Sequence, residues 1–209
     1  VTNPPIDSLR ENKVMSLKTR FGNLGNILDF DNLTEENIYV LDSPILTNSQ
    51  FKKFKKFFSK KIKVIDCTFD IQFSLKKRIE AIREEAETAV REGSTFLILS
   101  DKNISNQKAS IPSILTVGAI HSHLVKHGLR GYCSLNVECS DALDTHSFAV
   151  LIGVGATTVN PYLAIDSIYQ RFEKKLFGTS DFENCVVKFK KSIDAGLLKI
   201  MSKMGISVI

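Results

Sequence analysis

Residues 95–100 read TFLILS, and this short stretch indicates the fold class. An apolar run without alternation is typical of a strand that is covered on both faces, as strands in parallel sheets are. Gly93 precedes the run and Asp101 follows it, and both residue types favour helix ends and turns. The stretch therefore predicts a buried strand of an α/β domain.

Strands and helices alternate on both sides of that run. Further strands are predicted at NIYVLD (37–42), KIKVID (61–66) and YCSLNVE (132–138). Helices are predicted after residue 42, at 74–91, at 112–126, at 146–156, at 161–176, at 182–195 and again after Gly196. Alternation of this kind predicts a single α/β domain with a mostly parallel sheet.

The composition is that of an ordinary globular domain. The chain has 209 residues, of which 43% are hydrophobic and 24% are charged. No apolar run is long enough for a transmembrane helix, and the first residues, VTNPP, lack the basic and apolar regions of a signal peptide. One core of substantial size is sufficient for this length.

The net charge of +5 comes largely from the segment FKKFKKFFSKKIK (51–63), which carries seven lysines. Its phenylalanines, Phe51, Phe54, Phe57 and Phe58, are expected on one helical face. Such a helix can bind a membrane surface or a nucleic-acid backbone. We favour a surface helix that docks its phenylalanines on the core and leaves its lysines in water, because no second basic segment supports the other interpretation.

The cysteines lack the spacing of a metal cluster or a disulfide framework. They are Cys67, Cys133, Cys139 and Cys185. Cys133 and Cys139 are expected on one strand, too far apart to be bridged. The cysteines therefore predict reduced, buried thiols and a cytosolic or stromal compartment.

An acid stands at or just after the end of each predicted strand, namely Asp42, Asp66, Asp101 and Glu138. Ligands of open α/β sheets and barrels bind at the carboxyl ends of strands, so an active site is expected there if the chain has one. The same residue types also cap helices and form turns. We favour the capping role, because no base, nucleophile or metal pattern converges with these acids.

Two further patterns resemble binding motifs but are incomplete. His123 and His127 have the spacing of a two-histidine metal face, yet Leu124 stands where a HExxH motif has its glutamate. Gly153 and Gly155 begin a dinucleotide-type glycine pattern whose third position is Thr158. No metal site and no dinucleotide site is therefore expected.

The C-terminal segment AGLLKIMSKMGISVI (195–209) reads as a helix with Gly205 as its cap, followed by the start of an apolar strand. From the residues alone, that short strand either pairs with its own fold or belongs to a larger protein.

Five segments stand out together along the chain. They are VTNPPIDSLRENKVMSL (1–17), ILSDKN (98–103), IPSILTVGAIHSHLVKHGLR (111–130), HSFAVLIGVGATTVNPYLA (146–164) and GLLKIMSKMGIS (196–207). In order and spacing they resemble the central domain of glutamate synthase. The resemblance covers essentially the whole chain, and its first and last segments are the most specific.

The resemblance implies a place within a large polypeptide. In this family a glutaminase domain releases ammonia from glutamine, and an FMN-binding TIM barrel with a [3Fe-4S] cluster uses that ammonia and 2-oxoglutarate to form glutamate. The central domain between them looks like a rudimentary relative of the barrel. FMN and the [3Fe-4S] cluster are thus implied for the full-length enzyme, and no catalytic residue, cofactor-binding residue or metal ligand is expected in this chain.

The resemblance also implies domain boundaries and roles. Residues 1–36 are expected to form an arm from the glutaminase domain, 37–205 the central α/β domain, and 206–209 the severed start of the FMN-binding barrel. The junction with the FMN domain is expected at Ser202, Lys203, Met204 and Gly205. Thr2 and Asn3 are candidates for the wall of an intramolecular ammonia tunnel, in a segment that Pro4 and Pro5 stiffen.

The implied partners are the glutaminase and FMN-binding domains of the same polypeptide, together with an NADPH-dependent small subunit or ferredoxin. No nucleic acid and no membrane is expected as a partner, and the implied compartment is the cytoplasm or the plastid stroma. Two other classes remain open on the residues alone. One is an independent α/β enzyme that uses the acids at the strand ends, and the other is a basic module that binds a surface through its lysine-rich helix.

This sequence departs from the family pattern at a few positions. The family usually has proline at Ser8, arginine at Lys102 and near Leu143, histidine at Ser147 and tyrosine at Val154. The apolar pattern is kept, so the fold is expected to be unaffected.

Overall fold

A computed structural model describes residues 11–23 and 38–209 of the chain. The tunnel candidates Thr2 and Asn3 lie outside the described residues. The helices are α1 (Glu11–Val14), α2 (Asn48–Phe57), α3 (Leu75–Arg91), α4 (Ser113–Lys126), α5 (Thr145–Gly153), α6 (Tyr162–Glu173) and α7 (Phe182–Met204). The strands are β1 (Thr19–Gly22), β2 (Ile38–Leu41), β3 (Ile62–Asp66), β4 (Thr68–Asp70), β5 (Phe96–Ser100), β6 (Lys108–Ser110), β7 (Ser134–Glu138) and β8 (Thr158–Asn160).

The main sheet is parallel, with its strands in the order β3-β5-β7-β8. This confirms the predicted α/β class and the parallel sheet. The strand predicted at 37–42 exists as β2, but it pairs antiparallel with β1 outside this sheet. Its place as the fourth strand is taken by β8, which the sequence did not predict. A second antiparallel pair, β4 and β6, lies in the connections that follow β3 and β5.

The central strand β5 is buried along its whole length, as the TFLILS run predicts. Leu97 and Leu99 point to one face, where they join a core formed with α3, α4, α5 and α7. Phe96 and Ile98 point to the other face, where α2 and the β1–β2 pair cover them. The three crossover helices α3, α4 and α5 thus share one face of the sheet, which is the arrangement of part of a (β/α) barrel.

The second face is closed by aromatic side chains. Phe21 of β1 and Phe54 of α2 lie 5.7 and 5.3 Å from Phe96, measured between ring centroids. The lysine-rich helix therefore docks on the core through phenylalanines, as predicted. The expected role of Phe57 was wrong, since its side chain is 77% exposed. At 100° per residue, Phe57 falls well away from the direction that Phe51, Phe54 and Phe58 share.

The two C-terminal helices predicted on either side of Gly196 are one continuous helix, α7. Glycine lowers helix propensity, which is why the sequence pattern suggests a break there. The structure gives the glycine a packing role, because a Cβ at this position lies only 2.6 Å from the side chain of Thr145 on α5. The close approach of α5 and α7 requires a residue without a side chain.

The helix α7 ends at Gly205, which adopts the left-handed conformation (φ +70°) predicted for its cap. Beyond it, Val208 forms a single parallel bridge with Ser16, and the Ser16 amide donates to the carbonyl of Ser207 over 2.9 Å. Of the junction candidates, Ser202 is buried, while Lys203 and Met204 are exposed at the last turn. The terminal segment thus contacts its own chain, and its assignment to a following domain remains a prediction.

Candidate functional site

The parallel sheet brings three of the four predicted acids to its carboxyl edge. Asp66 ends β3, Asp101 follows β5 and Glu138 ends β7. The fourth acid, Asp42, follows the antiparallel strand β2 and is close enough to Lys190 of α7 to influence it electrostatically. The edge therefore holds the polar cluster that an α/β active site is expected to have. The hydrogen bonds of its acids show whether they are available for catalysis.

Glu138 is the most deeply engaged of these acids. Its carboxylate is 3% exposed and accepts hydrogen bonds from the Lys55 ammonium (3.1 Å), the Lys102 ammonium (3.0 Å) and the Ser100 hydroxyl (2.8 Å). Burial raises the pKa of a carboxyl group, but the bonds from Lys102, Ser100 and Lys55 outweigh it and hold the pKa of Glu138 below its ordinary value. Glu138 is thus a charged, fully paired group that ties α2 and β5 to β7.

Asp101 ties neighbouring loops together. Its Oδ2 atom accepts from the amide (2.9 Å) and the hydroxyl (2.6 Å) of Ser140, and from the Ser110 hydroxyl (3.4 Å). Tyr162 lies beside it, and burial together with the Asp101 charge raises the pKa of that phenol. Asp101 Oδ1 is buried with no hydrogen-bond partner in the described part of the chain.

Asp66 forms the turn that the sequence suggests. Its Oδ1 atom accepts from the amide (3.0 Å) and the hydroxyl (2.7 Å) of Thr68, and its Oδ2 accepts from the Asn103 amide group (3.0 Å). Burial raises its pKa, but these bonds with Asn103 and Thr68 outweigh burial and lower the pKa overall. Of the three acids, Asp66 fits the predicted turn role through its bonds with Thr68, although its bond with Asn103 also links it to the connection after β5.

The thiols near this edge are not set up as nucleophiles. Burial raises the pKa of Cys67 to about 12, and it also raises the pKa of Cys139. A catalytic thiol needs the opposite shift. Cys133 lies at the other end of β7 and Cys185 on α7, so the described cysteines do not converge on one point.

We expect Glu138→Gln to lower the free energy of unfolding by about 1–2 kcal/mol at neutral pH, since half-exposed Lys55 and Lys102 can recover part of their hydration. The ordinary glutamate pKa is 4.5, and the folded value lies below it. The carboxylate's contribution is therefore present above about pH 4.5 and is lost as the pH falls through the folded pKa.

Denaturant unfolding at several pH values measures this effect. The wild-type chain should lose more stability than Glu138→Gln on acidification. The matched control is Glu85→Gln, which removes a surface ion pair with Lys63 (3.4 Å) and should change little. Equal acid sensitivity of the wild type and Glu138→Gln contradicts the assignment.

Three of the positions at which a departure from the family pattern was expected, Lys102, Ser147 and Leu143, have the following surroundings. Lys102 supplies one of the two ammonium groups on Glu138 and lies 4.9 Å from the ring centre of Tyr162. The Ser147 hydroxyl and amide both donate to Asp144, the N-cap of α5, over 2.7 and 2.8 Å. Leu143 is 58% exposed. Position 143 therefore presents an apolar side chain at the surface.

A second cluster joins α3 to α4. The His123 Nε2 atom lies 2.6 Å from Oε2 of Glu87, and His127 Nδ1 lies 3.8 Å from the same oxygen. No metal site was expected from the sequence, because no carboxylate accompanied the histidines. The structure supplies one, Glu87, from the preceding helix. Glu87 could have been recognised as a third ligand only if the α3 residues that face α4 had been worked out from the helical period and the packing of the two helices.

An open groove of about 730 Å³ lies between the start of α2, α6 and α7. Its walls are mainly apolar, with Tyr169, Val186 and Val187 among them, and the strand-end acids do not line it. Lys190 and Asp194 also line it, and the Asp194 carboxylate accepts from the Ser43 hydroxyl over 2.7 Å.

The family model for the glutamate synthase central domain matches residues 1–209. This chain belongs to that family. A glutamate synthase [NADPH] large chain from Azospirillum brasilense is 52% identical over 212 residues, which is 100% of this chain and 14% of the relative. The chloroplastic ferredoxin-dependent glutamate synthase of Spinacia oleracea is 38% identical over 224 residues, which again is 100% of this chain and 14% of the relative. The chain thus spans 14% of the length of these relatives.

A partial likeness to a solved structure accompanies these matches. The L230A mutant of flavocytochrome b2 with benzoylformate aligns with 77% of this chain and 36% of its own, at 15% identity and a TM-score of 0.48. Across residues 11–23 and 38–209, no helix combines the length and the apolar character that crossing a membrane requires.

Proposed function

We propose that this chain is the central connecting domain of a glutamate synthase, non-catalytic by itself, which couples a glutaminase site to a synthase site. The observation that carries the proposal is the family match over the whole chain, combined with its 14% share of the related polypeptides. A domain of this kind has to hold the neighbouring domains in a fixed relative position rather than bind a substrate.

The contacts at the strand ends support a non-catalytic role. Glu138 is neutralised by two lysines, and the Asp66 and Asp101 carboxylates accept from neighbouring hydroxyl, amide or side-chain groups. A general base needs an available lone pair near a substrate and a pKa close to the working pH. The low pKa values of Asp66 and Glu138 do not provide it. Asp66 and Glu138 therefore serve to fix the loops in place.

The loops at the same edge favour packing against other domains. Exposed apolar side chains occur in the connections after β3, β5 and β7, namely Ile71 (60% exposed), Phe73 (72%), Ile104 (47%) and Leu143 (58%). Connections that follow parallel strands share one edge of the sheet. These apolar side chains lie at the same edge as the ion pairs of Glu138. An exposed apolar patch of this kind is expected where a neighbouring domain covers the surface.

The coupling role includes part of the wall of an ammonia tunnel, for which Thr2 and Asn3 are the candidates. Ammonia released into water at neutral pH becomes ammonium, which is not nucleophilic. A passage that excludes water keeps it reactive. The family resemblance implies that FMN and the [3Fe-4S] cluster belong to the neighbouring barrel domain, and the described cysteines of this chain do not converge on a cluster site.

The relatives named as NADPH-dependent and ferredoxin-dependent suggest an NADPH-dependent small subunit or ferredoxin as the electron-donating partner. Their bacterial and chloroplastic sources correspond to the cytoplasm or the plastid stroma.

The purified 209-residue chain tests the non-catalytic assignment. We expect a colourless protein that forms no glutamate from glutamine and 2-oxoglutarate with a reductant, because the residues described offer no flavin or cluster ligands. The visible absorption spectrum and an amino-acid assay measure both properties. A yellow protein with a flavin band, or saturable glutamate formation, contradicts the proposal.

A further inference from the structure

We propose that Glu87, His123 and His127 form a binding site for a divalent transition metal, with zinc as its best-fitting ion. The three side chains each offer one ligand atom, and these atoms lie within 4.8 Å of one another. Two imidazoles and a carboxylate are the ligand set that zinc takes where its fourth position stays open to water. The proposal is independent of the coupling role.

The site is built from two packed helices. His123 and His127 are four residues apart on α4, so one helical turn brings their rings together, with centroids 4.3 Å apart and planes tilted by 44°. Glu87 comes from α3, which packs against α4 along its length. A bound ion would therefore link two neighbouring crossover helices.

The distances are close to those of a filled site. Zinc lies about 2.0–2.2 Å from nitrogen and carboxylate ligands, which places a ligand nitrogen and oxygen roughly 3 Å or more apart. His123 Nε2 and Glu87 Oε2 are now 2.6 Å apart, so a small rotamer change opens the space. His127 is about one-third exposed, which gives the ion a path of entry. Its Nδ1 donates to the His123 carbonyl over 2.8 Å, which leaves the lone pair of the ring on Nε2 for the ion.

The neighbouring arginines determine how strongly the ion binds. Arg91 donates to Oε1 of Glu87 over 2.9 Å and leaves Oε2 for the histidines. Arg83 Nη2 lies 3.3 Å from His123 Nδ1 and donates to it, which places the His123 proton on Nε2, between the ring and Glu87. When zinc binds at Nε2, the proton of the ring moves to Nδ1. Because a protonated Nδ1 cannot accept from Arg83, the Arg83 guanidinium has to move away.

Arg83 is weakly held where it is. Its Nε atom is buried and has no hydrogen-bond partner within the described ranges. Moving Arg83 into water therefore lets this buried N–H group form hydrogen bonds. In its present place, the positive charge of Arg83 repels an incoming cation. Removing this charge should strengthen the site, an effect that an ordinary hydrogen-bonded cluster would not show.

Calorimetric titration of the chain with zinc chloride tests the proposal. We expect one zinc ion per chain, and we expect His127→Gln and Glu87→Gln each to weaken binding at least about tenfold. Arg83→Met should tighten it. His146→Gln is the matched control, because it removes an exposed histidine at another place on the surface and should leave binding unchanged.

A second measurement separates this site from the thiols. In the cobalt-substituted chain, visible d–d bands without sulfur-to-metal charge-transfer bands identify nitrogen and oxygen ligands, and circular dichroism confirms that each variant is folded. The proposal is overturned if zinc does not bind, if binding persists in the His127→Gln, Glu87→Gln double variant, or if thiolate bands appear.

Discussion

Gly155→Ala is expected to lower the free energy of unfolding by about 3–5 kcal/mol, the largest effect of a single methyl group that we anticipate in this chain. Gly155 has φ +116°, a conformation that side chains rarely adopt. A Cβ there also overlaps the ring of His121 on α4. Backbone strain and steric overlap thus act at the same position.

The His121 ring cannot withdraw at low cost. Its Nδ1 atom accepts from Arg130 Nε over 3.2 Å, and Arg130 itself donates to the carbonyls of Cys133 (2.7 Å) and Gly155 (2.9 Å). Any movement of the ring therefore disturbs a buried guanidinium whose bonds hold the entry to β7 and β8. Burial lowers the pKa of His121, and the Arg130 charge adds to this shift, so at neutral pH the ring remains an acceptor for Arg130.

Chemical denaturation of three variants separates the two contributions. Gly93→Ala shares the positive φ (+95°) but meets no atom within 4 Å, so it should cost only about 1–2 kcal/mol. Adding His121→Ala to Gly155→Ala should recover part of the loss, because it removes the overlapping ring. A Gly155→Ala chain no less stable than Gly93→Ala contradicts this account.

The sequence predicted the fold where hydrophobic patterns are long. The uniform burial of Phe96–Ser100 and the apolar stripe of α3, including Ile82, Ala86 and Ala89, follow directly from the pattern. The strand β8 was missed because three residues between Gly155 and Pro161 are too few for a period to register. Its identity as a strand depends on pairing with β7.

Other features depended on partners that are distant in the sequence. Gly196 looked like a helix break because the position of Thr145 on a facing helix is not visible in a local pattern. Likewise, the histidine pair looked incomplete because Glu87 is more than thirty residues away from His123. The acids at the strand ends were found from the sequence, but the pairing of Glu138 with Lys55 and Lys102 was not, because Lys55 lies on α2, a helix distant in the sequence.

The second large effect is expected at Thr2, in the segment that we propose as part of the wall of the ammonia tunnel. Thr2→Trp in the full-length enzyme should obstruct passage without altering either active site. Glutamine-dependent glutamate formation should fall severalfold, whereas formation driven by high external ammonia should fall much less, because external ammonia does not need the passage. Thr2→Val has nearly the same volume as threonine and is the matched control.

A linker role for Thr2 predicts a different pattern. A tryptophan in a mere linker lowers expression or stability and reduces both glutamine-driven and ammonia-driven synthesis to the same extent. Measuring the two rates on the same preparation therefore distinguishes an obstructed passage from a damaged protein.

The coupling between the two half-reactions tests the central claim most directly. Glutamine hydrolysed and glutamate formed by amination of 2-oxoglutarate are counted in one assay of full-length Thr2→Trp and Thr2→Val. If this domain helps to enclose the ammonia, the ratio of glutamine hydrolysed to glutamate formed by amination rises above parity in Thr2→Trp, as ammonia escapes into water, and stays at parity in Thr2→Val. A Thr2→Trp enzyme with near-normal activity and a ratio at parity contradicts the account.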